Sequence, residues 1–181
     1  MQKFIRIALT AALSLTVSGC FVSETALFDV DPDIRPVEPG WYMGYSVDED
    51  GEIEGGDIWI GQVGYVDGIL SSQTENMPLQ GAAFYEIGPD SWIARNALED
   101  GLYVYLTVFR YPDGRLFGHL PECDGLSSEE RAALGLVFAE HGRCQVSSLE
   151  TLEDAIQAYL GRNSGMIRNG AVLMPISPPE E

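Results

Sequence analysis

Between Trp41 and Leu120 the chain alternates short apolar runs with polar breaks. WYMGYSV, DIWIGQVGYV, QGAAFYEI, SWIARN, LYVYLTVFRY and RLFGHL are rich in aromatic and β-branched residues, and DEDGEIEGG, VDG, GPD, LEDG and PDG separate them. Runs of this length between turn formers predict strands. LYVYLTVFRY-PDG-RLFGHL predicts a hairpin, because Pro112 pre-sets φ, Asp113 can bond its own backbone and Gly114 tolerates positive φ. Its first strand places Leu102, Val104, Leu106 and Val108 on one face and Tyr103, Tyr105, Phe109 and Tyr111 on the other. A strand apolar on both faces is either covered twice or carries a surface that meets something else.

After Cys123 the period lengthens. Ser127 with Glu130 forms a capping-box pattern, EERAALGLVFAE follows, and Gly142 stands at its end; Ala133, Leu134, Val137 and Phe138 share one helical face. Ser147 with Glu150 begins a second unit, in which Leu149, Leu152, Ile156, Tyr159 and Leu160 recur at helical spacing before Gly161. VLMPI adds a last strand and SPPEE a polar tail. No repeat of solenoid period occurs. The expected fold is α+β: an antiparallel meander of about six short strands with two C-terminal amphipathic helices packed on it. The globular domain is expected over 41–176 and a disordered tail over 177–181. Residues 20–40 contain Pro32, Pro36 and Pro39 among acidic side chains and follow neither period, so they read as a flexible tether.

The chain opens with Lys3 and Arg6, continues through the eleven-residue apolar run IALTAALSLTV and ends that segment on Ser18 and Gly19. This is the layout of an export signal over residues 1–19, and it falls short of the roughly 20 residues a spanning helix needs. Val17-Ser18-Gly19-Cys20 resembles the bacterial lipobox, with Val in place of Leu at its first position. The resemblance implies cleavage before Cys20, a diacylglyceryl group on its sulfur and acylation of the new amino terminus, with palmitate among the attached chains. It places the protein in the cell envelope, and Phe21 rather than Asp after the cysteine points to the outer membrane, facing the periplasm. The wider layout is similar to small proteobacterial envelope lipoproteins of unassigned role, which contribute no activity.

Charge narrows the partners. The formal net charge is −18, and past the leader eight arginines face 28 acidic residues, a balance of −20 over 162 residues. Such a chain cannot neutralise phosphates, so nucleic acid is not an expected partner. Its size predicts one core. With Cys20 assigned to lipid, Cys123 and Cys144 remain as an even pair in an oxidising compartment and are expected to form a disulfide, closing a loop that contributes about 3 kcal/mol.

Catalytic chemistry is thinly represented. HExxH, GxSxG, GxxxxGK[ST] and GxGxxG are absent from the sequence, so no cofactor or metal is expected from motif. The histidines are His119, near a strand end, and His141, at a predicted helix end. One alternative is a hydrolase site assembled around His119 with a serine and a carboxylate; another is a calcium site in the acidic loop 48–57, where Asp48, Asp50 and Asp57 have partial EF-hand spacing but Ser46 occupies the leading position. The leading expectation is a non-enzymatic, lipid-anchored periplasmic accessory or binding module. It would attach to the membrane through its lipid and meet an envelope protein through an aromatic, arginine-bearing sheet face: Trp92, Arg95, Tyr103, Tyr105, Phe109, Arg110, Tyr111 and Arg115.

Overall fold

The structure, a computed structural model, describes residues 19–48, 50, 52–53, 58–74, 76–138, 142–163 and 170–179. Its strands are β1 (Phe21–Ser23), β2 (Gly40–Val47), β3 (Trp59–Val66), β4 (Ile69–Ser72), β5 (Ala83–Gly88), β6 (Ser91–Ala97), β7 (Tyr103–Arg110), β8 (Leu116–His119), β9 (Val137–Phe138), β10 (Cys144–Gln145) and β11 (Gly170–Pro175). Two α-helices are described, α1 (Ser128–Ala133) and α2 (Leu149–Asn163).

The six expected runs become β2, β3, β5, β6, β7 and β8, but the expected six-strand meander with two helices is not the fold. Eleven strands form one mixed sheet, and only α2 is a substantial helix. β11 returns from the C-terminus to lie between β2 and β8, antiparallel to both. β7 is the hub: β6 runs along one edge, while β8 and β1 share the other, β8 pairing residues 107–110 and β1 residues 103–104. β1 in turn pairs with β10, in parallel, and β10 with β9.

Local chemistry explains the turns that were predictable. Asp67 and Gly68, with φ of 51° and 81°, join β3 to β4 in the doubly positive geometry that matches strand twist. In the β7–β8 turn Tyr111 N–H donates to Arg115 O at 2.8 Å, and the Asp113 carboxylate accepts from the Arg115 N–H. The first expected helix ends early for an equally local reason. Its capping box forms, with the Glu130 N–H donating to Ser127 Oγ and Glu130 bonding back, but Gly135 at φ 65° stops it and Val137–Phe138 become β9. α2 begins one residue later than its expected box, because Ser148 rather than Ser147 accepts from the Thr151 N–H, and it runs through Gly161 to Asn163.

The sheet curls until β4 meets the chain entering β5: Leu70 N–H donates to Ala82 O and Gly81 N–H to Leu70 O, both at 2.9 Å. The interior of this curl is packed with Tyr42, Trp59, Leu70, Phe84, Trp92 and Leu173 among others. It is a filled core and not a channel. A second core lies outside the curl, where Leu152, Ala155, Ile156 and Tyr159 of α2 cover Phe21, Ile93 and Tyr105.

Candidate functional site: the first strand and its strap

The stretch expected to be a loose tether is instead part of the fold. Both sides of β1 are hydrogen bonded: Cys144 N–H donates to Cys20 O at 2.9 Å, Val146 N–H donates to Val22 O at 2.8 Å, and Val22 and Ser23 pair with Val104 and Tyr103 of β7. Upstream, Cys123 N–H donates to the Gly19 carbonyl, and Cys20 bridges to Glu122. Cys20, Phe21 and Val22 are buried. A three-residue strand in acidic, proline-rich surroundings has too little pattern of its own; its partners on β7 and β10 decide its conformation.

Alternation along β1 sorts the three cysteines. Phe21 points toward the α2 side, in one cluster with Cys123 and Cys144, which are joined as a disulfide. Cys20 and Val22 point to the other side, where Val104 and the half-buried Leu98, Leu102, Leu106 and Leu120 surround them. The strand therefore stands between the Cys20 sulfur and the disulfide. Burial pushes the Cys20 thiol up to about 11, with the Arg143 guanidinium pulling the other way. Arg143 binds Asp100 at 2.8 Å beside it, and that hydrogen bond holds the Asp100 carboxyl below its ordinary value.

The segment after β1 crosses the aromatic and arginine-bearing surface that was expected to meet a partner. Ser23 Oγ and the Tyr105 hydroxyl lie 2.6 Å apart, and the Leu27 N–H donates to the same hydroxyl. Arg95 donates to the Phe28 carbonyl and stacks over the Phe28 and Tyr103 rings. Arg110 donates to the Pro36 carbonyl at 2.6 Å and stacks over Trp92. Val37 N–H donates to the Tyr65 hydroxyl, and the Tyr42 hydroxyl donates to Glu38 O. Residues 24–39 thus form a strap held mainly through their backbone, so its acidic side chains can remain in solvent.

The expected face divides accordingly. Trp92 and Tyr105 are buried, Arg95 and Arg110 hold the strap, and Tyr103 and Phe109 are half-buried. Tyr111 and Arg115, stacked on each other at the β7–β8 turn, stay accessible. Alternation also separates residues that the sequence grouped: Arg95 shares a side of the sheet with Tyr103, Tyr105 and Phe109, and Arg110 shares the opposite one with Trp92. The expected face is therefore not one surface: the chain's own N-terminal segment takes Arg95 and Arg110, the curl encloses Trp92, and the core beneath α2 takes in Tyr105. Because a hydrogen bond to a charged group contributes about 1.5–3 kcal/mol, Arg95→Ala and Arg110→Ala should each speed amide exchange within 24–39 by about tenfold or more, leaving β7 and β8 protected. Unchanged exchange in 24–39 would show that the guanidiniums do not hold the strap.

His119 is 2 % exposed, its Nε2 lies 2.8 Å from the Tyr159 hydroxyl, and its ring is stacked between Phe117 and Tyr159. This is an interior position between sheet and helix; the geometry favours packing over hydrolysis. His141 lies outside the described residues, as do Val17 and Ser18 of the lipobox-like motif. In the acidic loop, Gly51 and Asp57 also lie outside them, and the Asp48 carboxylate accepts the N–H groups of Asp50 and Glu52 at 2.9 Å each, as a turn cap. Among the described residues no group of three His, Cys, Asp or Glu side chains is placed to hold a metal ion. None of their helices is long and apolar enough to cross a membrane. No protein-family model, curated protein or solved structure matches the chain.

Proposed function

We propose that the protein is a lipid-anchored accessory lipoprotein of the cell envelope, held by Cys20 at the outer membrane and facing the periplasm, with a binding rather than a catalytic role. The observation that carries this reading is the lipobox-like cysteine standing immediately before a folded strand while the other two cysteines pair with each other. Export with cleavage before Cys20 would leave no dangling peptide ahead of the domain. The charged start, the short apolar run and the small residues before Cys20 support the same address. More than one acyl chain is needed for stable anchoring, which the lipoprotein modification would provide.

The burial of Cys20 orders the events. A thiol enclosed by Val22, Val104 and four leucines is out of reach of a transferase once β1 has docked. Lipid transfer therefore precedes docking, on a chain whose first strand is still open. Cys20→Ala should abolish incorporation of labelled fatty acid and processing as a lipoprotein, while the Cys123–Cys144 bond still forms. Fatty acid retained by this variant would remove the basis of the reading.

A further inference from the structure

We infer that the leucine-lined end of the curl, beside β1 and the start of β7, is the surface on which the domain sits against the lipid bilayer. The inference rests on the lipoprotein reading and adds an orientation to it. A lipid on Cys20 would have no slack, because Cys20 bridges to Glu122, its carbonyl accepts from Cys144 and the next residue already lies in the sheet. The acyl chains must then leave on the side to which the Cys20 side chain points, parting the half-buried leucines that enclose its sulfur. That side carries Leu98, Leu102, Leu106 and Leu120 around Cys20, all only half-buried. Adjacent strands lie about 4.8 Å apart, so anything on this side of the neighbouring strands stays close to the anchor. The register Val22–Gln145–Val137 puts Val137 on the same side two strands away, and Val137 is 61 % exposed.

The opposite side of β1 and β7 cannot serve, since α2 and the disulfide cover it, and farther out on that side the exposed Phe138 ring carries the Arg131 guanidinium over it. Charge selects the mode of contact. A chain with a balance of −20 past its leader gains nothing from anionic headgroups, whereas partly exposed leucines beside a covalent lipid gain by apolar burial. At the rim Arg143 pairs with Asp100 at 2.8 Å and offsets one of the two acidic side chains of the nearest turn. Another exposed apolar group, Ile58, Ile60 and Val66, belongs to β3 and its approach. In the order of the sheet, β2, β11, β8 and β7 separate β3 from β1, and Val66 should remain in water.

The test uses the full lipidated protein in phosphatidylcholine vesicles with and without brominated acyl chains, which quench indole on contact. Val137→Trp and Leu102→Trp should lose most of the emission they add above the three native tryptophans. Val66→Trp should keep its added emission. Val137 lies on an exposed edge, so Val137→Trp remains informative should Leu102→Trp disturb packing. Equal quenching at 137 and 66, or none at 137 and 102, would overturn the orientation. A lipid mass on Cys20 is verified in each preparation. Its absence would instead overturn the lipoprotein reading, and the seat with it.

Discussion

A chain that starts at Trp41 will not form the native fold. Deleting residues 20–40 removes β1 from the edge of β7, strips β10 of its parallel partner, and withdraws Phe21, Phe28 and Val37 from the two cores. It also leaves the Tyr105 and Tyr65 hydroxyls without their partners in the strap. Truncating one fully buried phenylalanine costs about 3–5 kcal/mol, and a whole domain has a margin of about 5–15 kcal/mol. The combined loss exceeds what the domain can absorb. Phe21→Ala isolates the largest single contribution, since Phe21 is fully buried between the disulfide and α2. In a domain of this size it should lower Tm by roughly 10 °C or more. Thermal melts followed by circular dichroism would check both, and a cooperative melt at the wild-type temperature for the chain starting at Trp41 would restore the tether.

The second large effect belongs to the disulfide. Cys123 and Cys144 are fully buried and 21 positions apart, and their bond ties the turn after β8 to β10. Cys144 N–H is also the donor to Cys20 O, so the covalent link holds in place the strand against which β1 closes. Replacing both cysteines by Ser should cost about 3 kcal/mol from chain entropy. It should lower Tm by several degrees and loosen β1 and β10 ahead of the curled sheet. Denaturant titration of oxidised and reduced protein reads the same difference without mutation. Equal midpoints would mean the bond adds nothing to stability. On the proposed order, in which lipid attachment precedes docking of β1, that attachment should be unaffected.

How far the sequence could carry the reader depends on whether a feature was local. The β7–β8 hairpin was legible because Pro112, Asp113 and Gly114 encode its turn within three residues. α2 was legible because its apolar positions recur over fifteen residues. The expected helix after Ser127 went wrong where two local signals competed. Its capping box is genuine, but Gly135 takes positive φ at a point the helical pattern passes through. β1 was not legible: Phe21–Ser23 is too short to show alternation, and only β7 and β10, distant in sequence, define it. The insertion of β11 between β2 and β8 is likewise a tertiary choice.

Of the candidate sites, the pairing of Cys123 with Cys144 was readable once Cys20 was set aside by its resemblance to a lipobox cysteine, which left an even pair. The residue types of an aromatic and arginine-bearing surface were readable, though the sheet divides them between its two sides. The strap was not, because acidic proline-rich sequence resembles a solvated linker while its backbone carbonyls suit Arg95 and Arg110 equally well. His119 illustrates the reverse, a residue with catalytic potential whose surroundings are an interior packing site.

On the proposed reading Cys20 is both the lipid attachment point and the first residue of the folded domain. The most direct measurement is the mass of the N-terminal peptide of the protein extracted from membranes. The account predicts a peptide beginning at Cys20 and carrying diacylglyceryl and amide-linked acyl groups. A peptide beginning elsewhere, or an unmodified Cys20, would contradict it.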